Sequence, residues 1–514
     1  MDNSLKSPSS GLTPSRRDFL KGSAAAAVMP ALGAVAGEGR APEGGEPPAP
    51  KAKPNIVLYI ADQFRWDMVS AYGLNPMRIT PNLDGVAARG VAFANFVTNQ
   101  PLCSPSRACL YTGLYATQTG VWTLSDEGVA GAYLKPDAVT LATILRSEGY
   151  TANLIGKWHL APGSHAEPKT LGFVPREYRG GFLDLWQGSN VVELTSHPYS
   201  GTLWNGDGEP MEFKDIYRVD YLTELAVKFL ERKHEKPFLL VVSQLEPHFQ
   251  NDMNAFVPPK QYRDSFINGF VPPDLRFFPG DWDRQLPNYY GAIKSIDDSV
   301  GTVLKTLDEQ GLAGNTIFLF LSDHGCHFRT RNTEYKRSPH ESSIHVPLLF
   351  QGPGFNEARL VRELVSMIDV TPTLLDAAGV KAPSSMMGRS LLPLIHDPAA
   401  RQAWRQEAFL QISQSMVARA LRTDRWTYCV ADPSLPNGNF PSSKHYVEYQ
   451  MYNLAADPHQ LVNLAGRRDV PSAVHYFGER VDAEIADHLR QRLLARMADA
   501  GDPPATIAPR KLYP

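Results

Sequence analysis

The chain has 514 residues, and its 51 Lys+Arg against 54 Asp+Glu give a formal net charge of −3. That length supports a large core and more than one domain, and the near-balance of charge excludes a global field drawing the protein to nucleic acid or membrane, so any selectivity for anions is local. Four cysteines, Cys103, Cys109, Cys326 and Cys429, are too few and too scattered for a disulfide framework or a zinc motif.

In chain order, Ser15-Arg16-Arg17-Asp18-Phe19-Leu20-Lys21 and the small, apolar run 22–36 read as a twin-arginine export signal, with Ala34-Val35-Ala36 at the cleavage site. The run is Ala/Gly-rich and falls short of the roughly 18 to 20 strongly apolar residues that a span needs, so a stable membrane anchor is not expected. Residues 1–36 are therefore assigned to the signal and 37–53, rich in Gly, Pro and Ala, to a flexible linker. The expected location is periplasmic or secreted, with the Tat translocase as a partner and no nucleic acid.

From Pro54 onward, apolar β-branched runs alternate with amphipathic stretches, predicting an α/β fold with a large, mostly parallel sheet covered by helices. Strands are predicted at 56–61, 151–155, 238–243 and 316–321, and helices at 141–147, 220–233 and 293–309. Cys103 stands before Ser104 and Pro105, which read as the N-cap and first residue of a helix that Gly113 stops, so the thiol is expected at an anion-friendly helix mouth. The strands end in Asp62-Gln63, Gly156-Lys157-Trp158-His159, Glu246-Pro247-His248 and Asp323-His324-Gly325. Singly these read as caps, a surface lysine or core histidines. Together they put carboxylate, amide, lysine and imidazole along one sheet edge, where open α/β sheets bind ligands.

These motifs resemble the type I sulfatase family of the alkaline-phosphatase-like superfamily. The resemblance rests on Pro54-Asn55-Ile56-Val57 with Asp62, Cys103-Ser104-Pro105-Ser106-Arg107 with Leu110-Tyr111-Thr112-Gly113, Gly156-Lys157-Trp158-His159-Leu160, Pro247-His248, Asp323-His324-Gly325, and Lys336 followed by His340-Glu341 and Val346-Pro347. It implies an exported sulfatase that hydrolyses a sulfate ester, on a saccharide or other small molecule, through a formylglycine made from Cys103 by a formylglycine-generating enzyme. By resemblance Arg107 steadies residue 103, His159 is the base and His248 the acid, while Lys157, His248 and Lys336 bind the substrate and Lys157 and Lys336 hold its sulfate oxygens. Asp62, Gln63, Cys103, Asp323 and His324 map onto a divalent-metal site, Ca²⁺ by family habit. Gln63 and His324 depart from the commonest Asp and Asn there, which makes Mn²⁺ or Mg²⁺ an alternative. Gln63 also suggests a competing reading, a phosphonate monoester or phosphodiester hydrolase of the same superfamily. A further alternative is a non-catalytic saccharide-binding relative.

Residues 54–400 are assigned to the catalytic domain and 401–514 to a smaller α+β domain, with antiparallel strands at 417–421 and 425–430 and a helix at 478–499. His327, Arg329 and Arg331 are read either as positive field over the pocket or as solvated loop charges, and His345 stands where the family usually has Arg. The aperiodic stretches 162–215 and 249–290 carry Trp186, His197, Tyr199, Trp204, Trp282, Tyr289 and Tyr290. These aromatics either line the substrate pocket or pin loops to the body.

Overall fold

The computed structural model describes residues 53–435, 438–465 and 483–510. The export signal and most of the linker lie outside them, as do residues 478–482 of the expected C-terminal helix. The described residues belong to one compact unit.

A large sheet forms from β1 (Asn55–Ala61), β2 (Val91–Val97), β3 (Thr151–Lys157), β4 (Leu185–Ser189), β5 (Ser196–His197), β6 (Ser200–Asn205), β7 (Pro210–Lys214), β8 (Phe238–Ser243), β9 (Thr316–Ser322), β10 (Leu348–Gln351) and β11 (Arg359–Ser366). Its order is β11-β2-β10-β9-β1-β8-β3-β4-β6-β5, with β7 on β6. The block β9-β1-β8-β3-β4 is parallel. Antiparallel pairings occur at β10 and along the β5–β7 edge.

The central strand shows why the sheet is sandwiched. Ile56, Leu58 and Ile60 face one core, which includes Leu110 and Tyr111 of the helix Cys103–Thr112. Val57, Tyr59 and Ala61 face the other, with residues of the helices Arg218–Leu230 and Trp282–Glu309. Both faces are apolar and both are covered, as expected for parallel strands. Trp282–Glu309 begins well before the expected helix start because Pro287 sits inside it and masks the helical pattern.

A second sheet runs β12 (Glu407–Ile412), β13 (Ala418–Thr423), β14 (Trp426–Ala431), β15 (His445–Asn453) and β16 (Thr506–Ala508), antiparallel except for β15–β16. Ala408, Leu410 and Ala420 cluster with Val97 and Ile344 of the large body. Phe409, Leu421 and Tyr428 share a core with Leu489, Leu493 and Met497 of the helix Ala483–Asp499.

Candidate active site

The helix carrying Cys103 starts one residue earlier than the Ser-Pro pair suggests. Leu102, extended at φ −155° and ψ 138°, is the N-cap, and Cys103 is the first helical residue. Ser104 does not cap, because its hydroxyl accepts from the Ser125 amide at 3.2 Å. Gly113 closes the helix in the left-handed region at φ 68°.

Arg107, one turn on and fully buried, ties the strand ends together. Its Nε donates to Asp323 Oδ2 at 3.1 Å and its Nη2 to Asp62 Oδ2 at 3.2 Å. Its Nη1 donates to Ser243 Oγ at 2.7 Å and to the Lys157 carbonyl at 3.2 Å. Lys157 Nζ is shared at 2.7 Å each by Asp62 Oδ2 and Glu193 Oε1. Burial alone would raise the Asp62 carboxyl. The opposite charges of Lys157, His248 and Lys336 and the His324 hydrogen bond prevail, and its carboxyl lies well below the usual range.

With Asp62 Oδ2 taken by cations, Oδ1 faces His324 Nε2 at 3.3 Å and Cys103 Sγ at 3.8 Å. Asp323 Oδ1 lies 3.6 Å from the same imidazole nitrogen. Single ligand atoms of Asp62, Cys103, Asp323 and His324 lie within 4.8 Å of one another, so this buried set fits one hard divalent cation. Gln63 adjoins it. Held left-handed at φ 68°, it donates its backbone N–H to Asp323 Oδ1 at 3.2 Å and its side-chain amide to Cys326 Sγ at 3.4 Å. Tyr289 fixes this turn, donating to the Gln63 carbonyl at 2.7 Å and accepting from the Arg65 amide at 2.9 Å.

On the open side of Cys103, Lys336 Nζ lies 3.0 Å from Sγ, 3.0 Å from His248 Nε2 and 3.1 Å from His324 Nε2. His248 Nδ1 lies 2.7 Å from the Phe249 carbonyl, which only accepts, so the proton is on Nδ1 and Nε2 faces the pocket. Burial and Asp62 push the Cys103 thiol up, but Lys157, Lys336 and His324 outweigh them and bring it well below its ordinary value. Cys326, by contrast, is pushed up to about 12 by burial. A cavity of about 80 Å³ is lined by Gln63, Cys103, His159, Glu193, His248 and Lys336, among others.

Two residues of this site, Asp126 and Glu193, were not singled out in the sequence. His159, left-handed at φ 60°, meets Asp126 Oδ1 through Nε2 at 2.8 Å, and its Nδ1 lies 3.7 Å from Glu193 Oε1. Burial and Lys157 push His159 down, but Asp126 and Glu193 win and raise it to about 9. Asp126 itself is brought down to about 2, because His159 outweighs its burial. Asp126 falls in an aperiodic segment with no motif. Glu193 offers only a weak signal, a carboxylate directly after the buried Val191 and Val192.

The His159–Asp126 pair gives a pH prediction. His159's contribution to stability is complete below its ordinary value near ~6.5 and is lost as pH rises through the folded value of about 9. Asp126's is present above its ordinary range and is lost as pH falls toward about 2. Asp126→Asn should therefore bring His159 down and, since His159 acts as a base only when deprotonated, move the acid limb of the pH–rate profile by at least about one pH unit toward acid. An NMR titration of the ring and a kcat/KM profile check this.

The other expectations sort clearly. His327 is buried and does not line the cavity; it meets the Lys336 carbonyl through Nε2 at 3.0 Å, and burial pushes it down to about 3. Arg331 donates to the His459 and Gln460 carbonyls, and Arg329 lies 4.7 Å from the Tyr335 ring centre. These residues support the loop carrying Lys336. His345 bonds the Ala94 carbonyl at 2.9 Å and Glu341 at 3.1 Å and stacks on Trp66 at 3.9 Å. Trp186, Tyr289 and Tyr290 are buried in the cores, so they serve packing.

A largely parallel α/β sheet whose carboxyl edge gathers buried carboxylates that could hold a cation, a cysteine at a helix start and a ring of lysine and imidazole has the architecture of the alkaline-phosphatase-like class of ester hydrolases. The sulfatase family matches residues 54–380, and the C-terminal region of N-sulphoglucosamine sulphohydrolase matches residues 333–487. An ulvan-active sulfatase of Formosa agariphila is 30% identical over 464 residues, covering 86% of this chain and 83% of the relative. A Bacteroides thetaiotaomicron structure from a glycosaminoglycan-metabolism locus shares the fold with a TM-score of 0.73 at 23% identity, covering 88% of this chain and 97% of that one. The phosphonate monoester hydrolase of Agrobacterium radiobacter shares it with a TM-score of 0.63 at 22% identity, covering 87% and 96%. The chain belongs to the type I sulfatase family and is a sulfuric ester hydrolase. Residues 13–33 match the twin-arginine translocation signal, which marks the protein for export, and no helix among the described residues is long and apolar enough to cross a membrane.

Proposed function

We propose that this sulfatase removes sulfate from a saccharide, using a formylglycine made from Cys103 and a divalent cation held by Asp62, Gln63, Asp323 and His324 beside residue 103. The observation that carries the reading is the position of Cys103 Sγ, 3.0 Å from Lys336 Nζ and 3.2 Å from His324 Nε2. A hydrated formylglycine supplies an oxygen nucleophile for sulfur and a second hydroxyl whose proton loss expels sulfate. The cation supplies Lewis acidity at the sulfate, with Ca²⁺ the first candidate and Mn²⁺ or Mg²⁺ the alternatives.

The chain's own groups divide the remaining work. Arg107 fixes Asp62 and Asp323, and through them the cation site. Lys336 and Lys157 hold negative charge on the sulfate oxygens, and His248 exchanges a proton at Nε2 with the leaving alcohol. His159 presents Nδ1 to residue 103 for the proton released as sulfate departs. Residues 54–400 carry this machinery, and 401–514 buttress it.

The saccharide reading draws on the ulvan-active relative and on the glycosaminoglycan-locus structure. Gln63 and the phosphonate hydrolase's fold support the second reading, a phosphonate or phosphodiester hydrolase. Matched aryl sulfate and aryl phosphonate esters separate the two: kcat/KM should favour the sulfate by at least about 100-fold, and the reverse order overturns the choice. Chelation of the cation should abolish turnover, and back-titration with Ca²⁺, Mn²⁺ and Mg²⁺ identifies it.

Cys103 is 1% exposed in the folded chain. A formylglycine-generating enzyme therefore acts before folding is complete and before Tat export. Cytoplasmic precursor should already carry the aldehyde, and precursor holding only thiol beside fully modified exported protein overturns that order.

A further inference from the structure

Glu193 sits in the short helical turn Val192–Thr195 that follows β4. Its Oε1 is held by Lys157 Nζ at 2.7 Å. Its Oε2 is buried and meets no donor among the described residues, and the same is true of its neighbour His159 Nδ1 as to partners. The residue is 7% exposed and lines the cavity beside Cys103, His248 and Lys336. One ligand-type atom each of Glu193, His159 and Cys103 lie within 4.8 Å of one another.

Charge balance does not explain the free oxygen. Lys157 already has Asp62 at 2.7 Å, and His159 already has Asp126 at 2.8 Å. A sulfate group offers only acceptor oxygens, so a bare carboxylate oxygen beside it repels it, and a buried acceptor left unpaired is costly. A donor on the substrate removes both penalties. Glu193 lines the same cavity as residue 103, with ligand-type atoms of the two within 4.8 Å, so with the sulfur attacked at residue 103 a donor on the carbon next to the ester carbon is the substrate group suited to meet it.

We propose that Glu193 is a substrate-binding, specificity-determining residue whose Oε2 accepts a hydrogen bond from a hydroxyl or N–H on the carbon adjacent to the sulfated carbon. This rests on the sulfate-ester reading and narrows it: the preferred substrate carries a free vicinal donor, as an unsubstituted hydroxyl or an amide N–H of a sugar does. A site built to bond such a group rejects analogues lacking it, because its own acceptor is then stranded.

The test compares trans-2-hydroxycyclohexyl sulfate with cyclohexyl sulfate, and a sugar sulfate with its vicinal deoxy analogue, on the mature, metal-loaded enzyme and on Glu193→Gln. The wild type should favour each hydroxylated ester by about 10- to 100-fold in kcat/KM, the range of a hydrogen bond to a charged group. In Glu193→Gln, Lys157 takes the amide oxygen, so an NH₂ points where Oε2 was and a donor meets a donor. The variant should therefore lose at least about tenfold more on the hydroxylated ester than on its partner. Equal losses on both members of a pair overturn the proposal and leave Glu193 a charge-balancing group. A wild type without preference overturns it with no variant needed. Preference within the cyclohexyl pair with no turnover of sugar sulfates upholds Glu193 and removes the saccharide reading, whereas no turnover of either pair removes both.

Discussion

Cys103→Ala should abolish sulfate release, by at least about 10⁴-fold, and leave the protein folded. The expected loss is large because, on the proposed mechanism, every other group at the site acts on a nucleophile that residue 103 supplies. Lys336, His324 and Asp62 converge on its Sγ, and Arg107 holds the carboxylates behind it. Water in that place would have to attack sulfur without a covalent intermediate, from a position the protein does not fix. The fold survives because the rest of the helix, from Ala108 to Tyr111, is anchored in the core independently of the thiol. The unfolding temperature should stay within a few degrees of the wild type, about what a change of 1 kcal/mol produces. Cys103→Ser should be equally inactive, since a serine sulfate has no second hydroxyl through which to expel sulfate. Ion chromatography of released sulfate and a thermal melt measure both effects. Full turnover by well-folded Cys103→Ala would remove the covalent mechanism, and the mass of the peptide containing residue 103 reports whether the wild type carries aldehyde.

The strand ends were legible because parallel strands declare themselves as unbroken apolar runs, and each run stops at the polar residue that the fold then uses. Asp62, Lys157 and Asp323 lie at such stops. The helix Cys103–Thr112 was legible from its glycine stop, while its start was obscured by a Ser-Pro pair whose hydroxyl has a tertiary partner. Asp126 and Glu193 were not legible, since their contacts join segments 33 and 36 residues apart and no local period marks them. Likewise the first turns of Trp282–Glu309 read as loop because local propensity at Pro287 argues against a helix that tertiary packing sustains, with Tyr289 against Phe256 and Phe328 and Tyr290 against Phe266. His345 differed from the family habit without any sequence-level reason. Its bonds to Ala94 and Glu341 show that it fastens the chain before β10 to β2, well inside the body.

Arg107→Gln should cost about 3–5 kcal/mol of stability at neutral pH and remove activity, because it strips the guanidinium shared by two buried carboxylates, Asp62 and Asp323. Asp62 and Asp323 are both fully buried, and burial raises each of them. In the wild type the surrounding cations bring Asp62 well below its ordinary range, whereas Asp323 stays above it, pushed up by burial and then by Asp62. Asp62's contribution to stability is thus present above its unfolded value of about 3.9 and is lost as pH falls through its lower folded value. Without Arg107 both carboxyls rise further, so the variant takes up a proton nearer to neutrality than the wild type does. Its deficit is then largest near pH 7 and narrows as pH falls toward about 5. Urea unfolding of cation-free protein at the two pH values reads this directly, and a deficit that stays constant would mean that Arg107 acts through packing alone. Arg107→Lys separates charge from shape: a single ammonium cannot reach Asp62, Asp323, Ser243 and the Lys157 carbonyl together, as the fork of Arg107 does. It should therefore recover much of the stability and little of the activity, since the geometry that orients the two carboxylates is what the cation and residue 103 depend on.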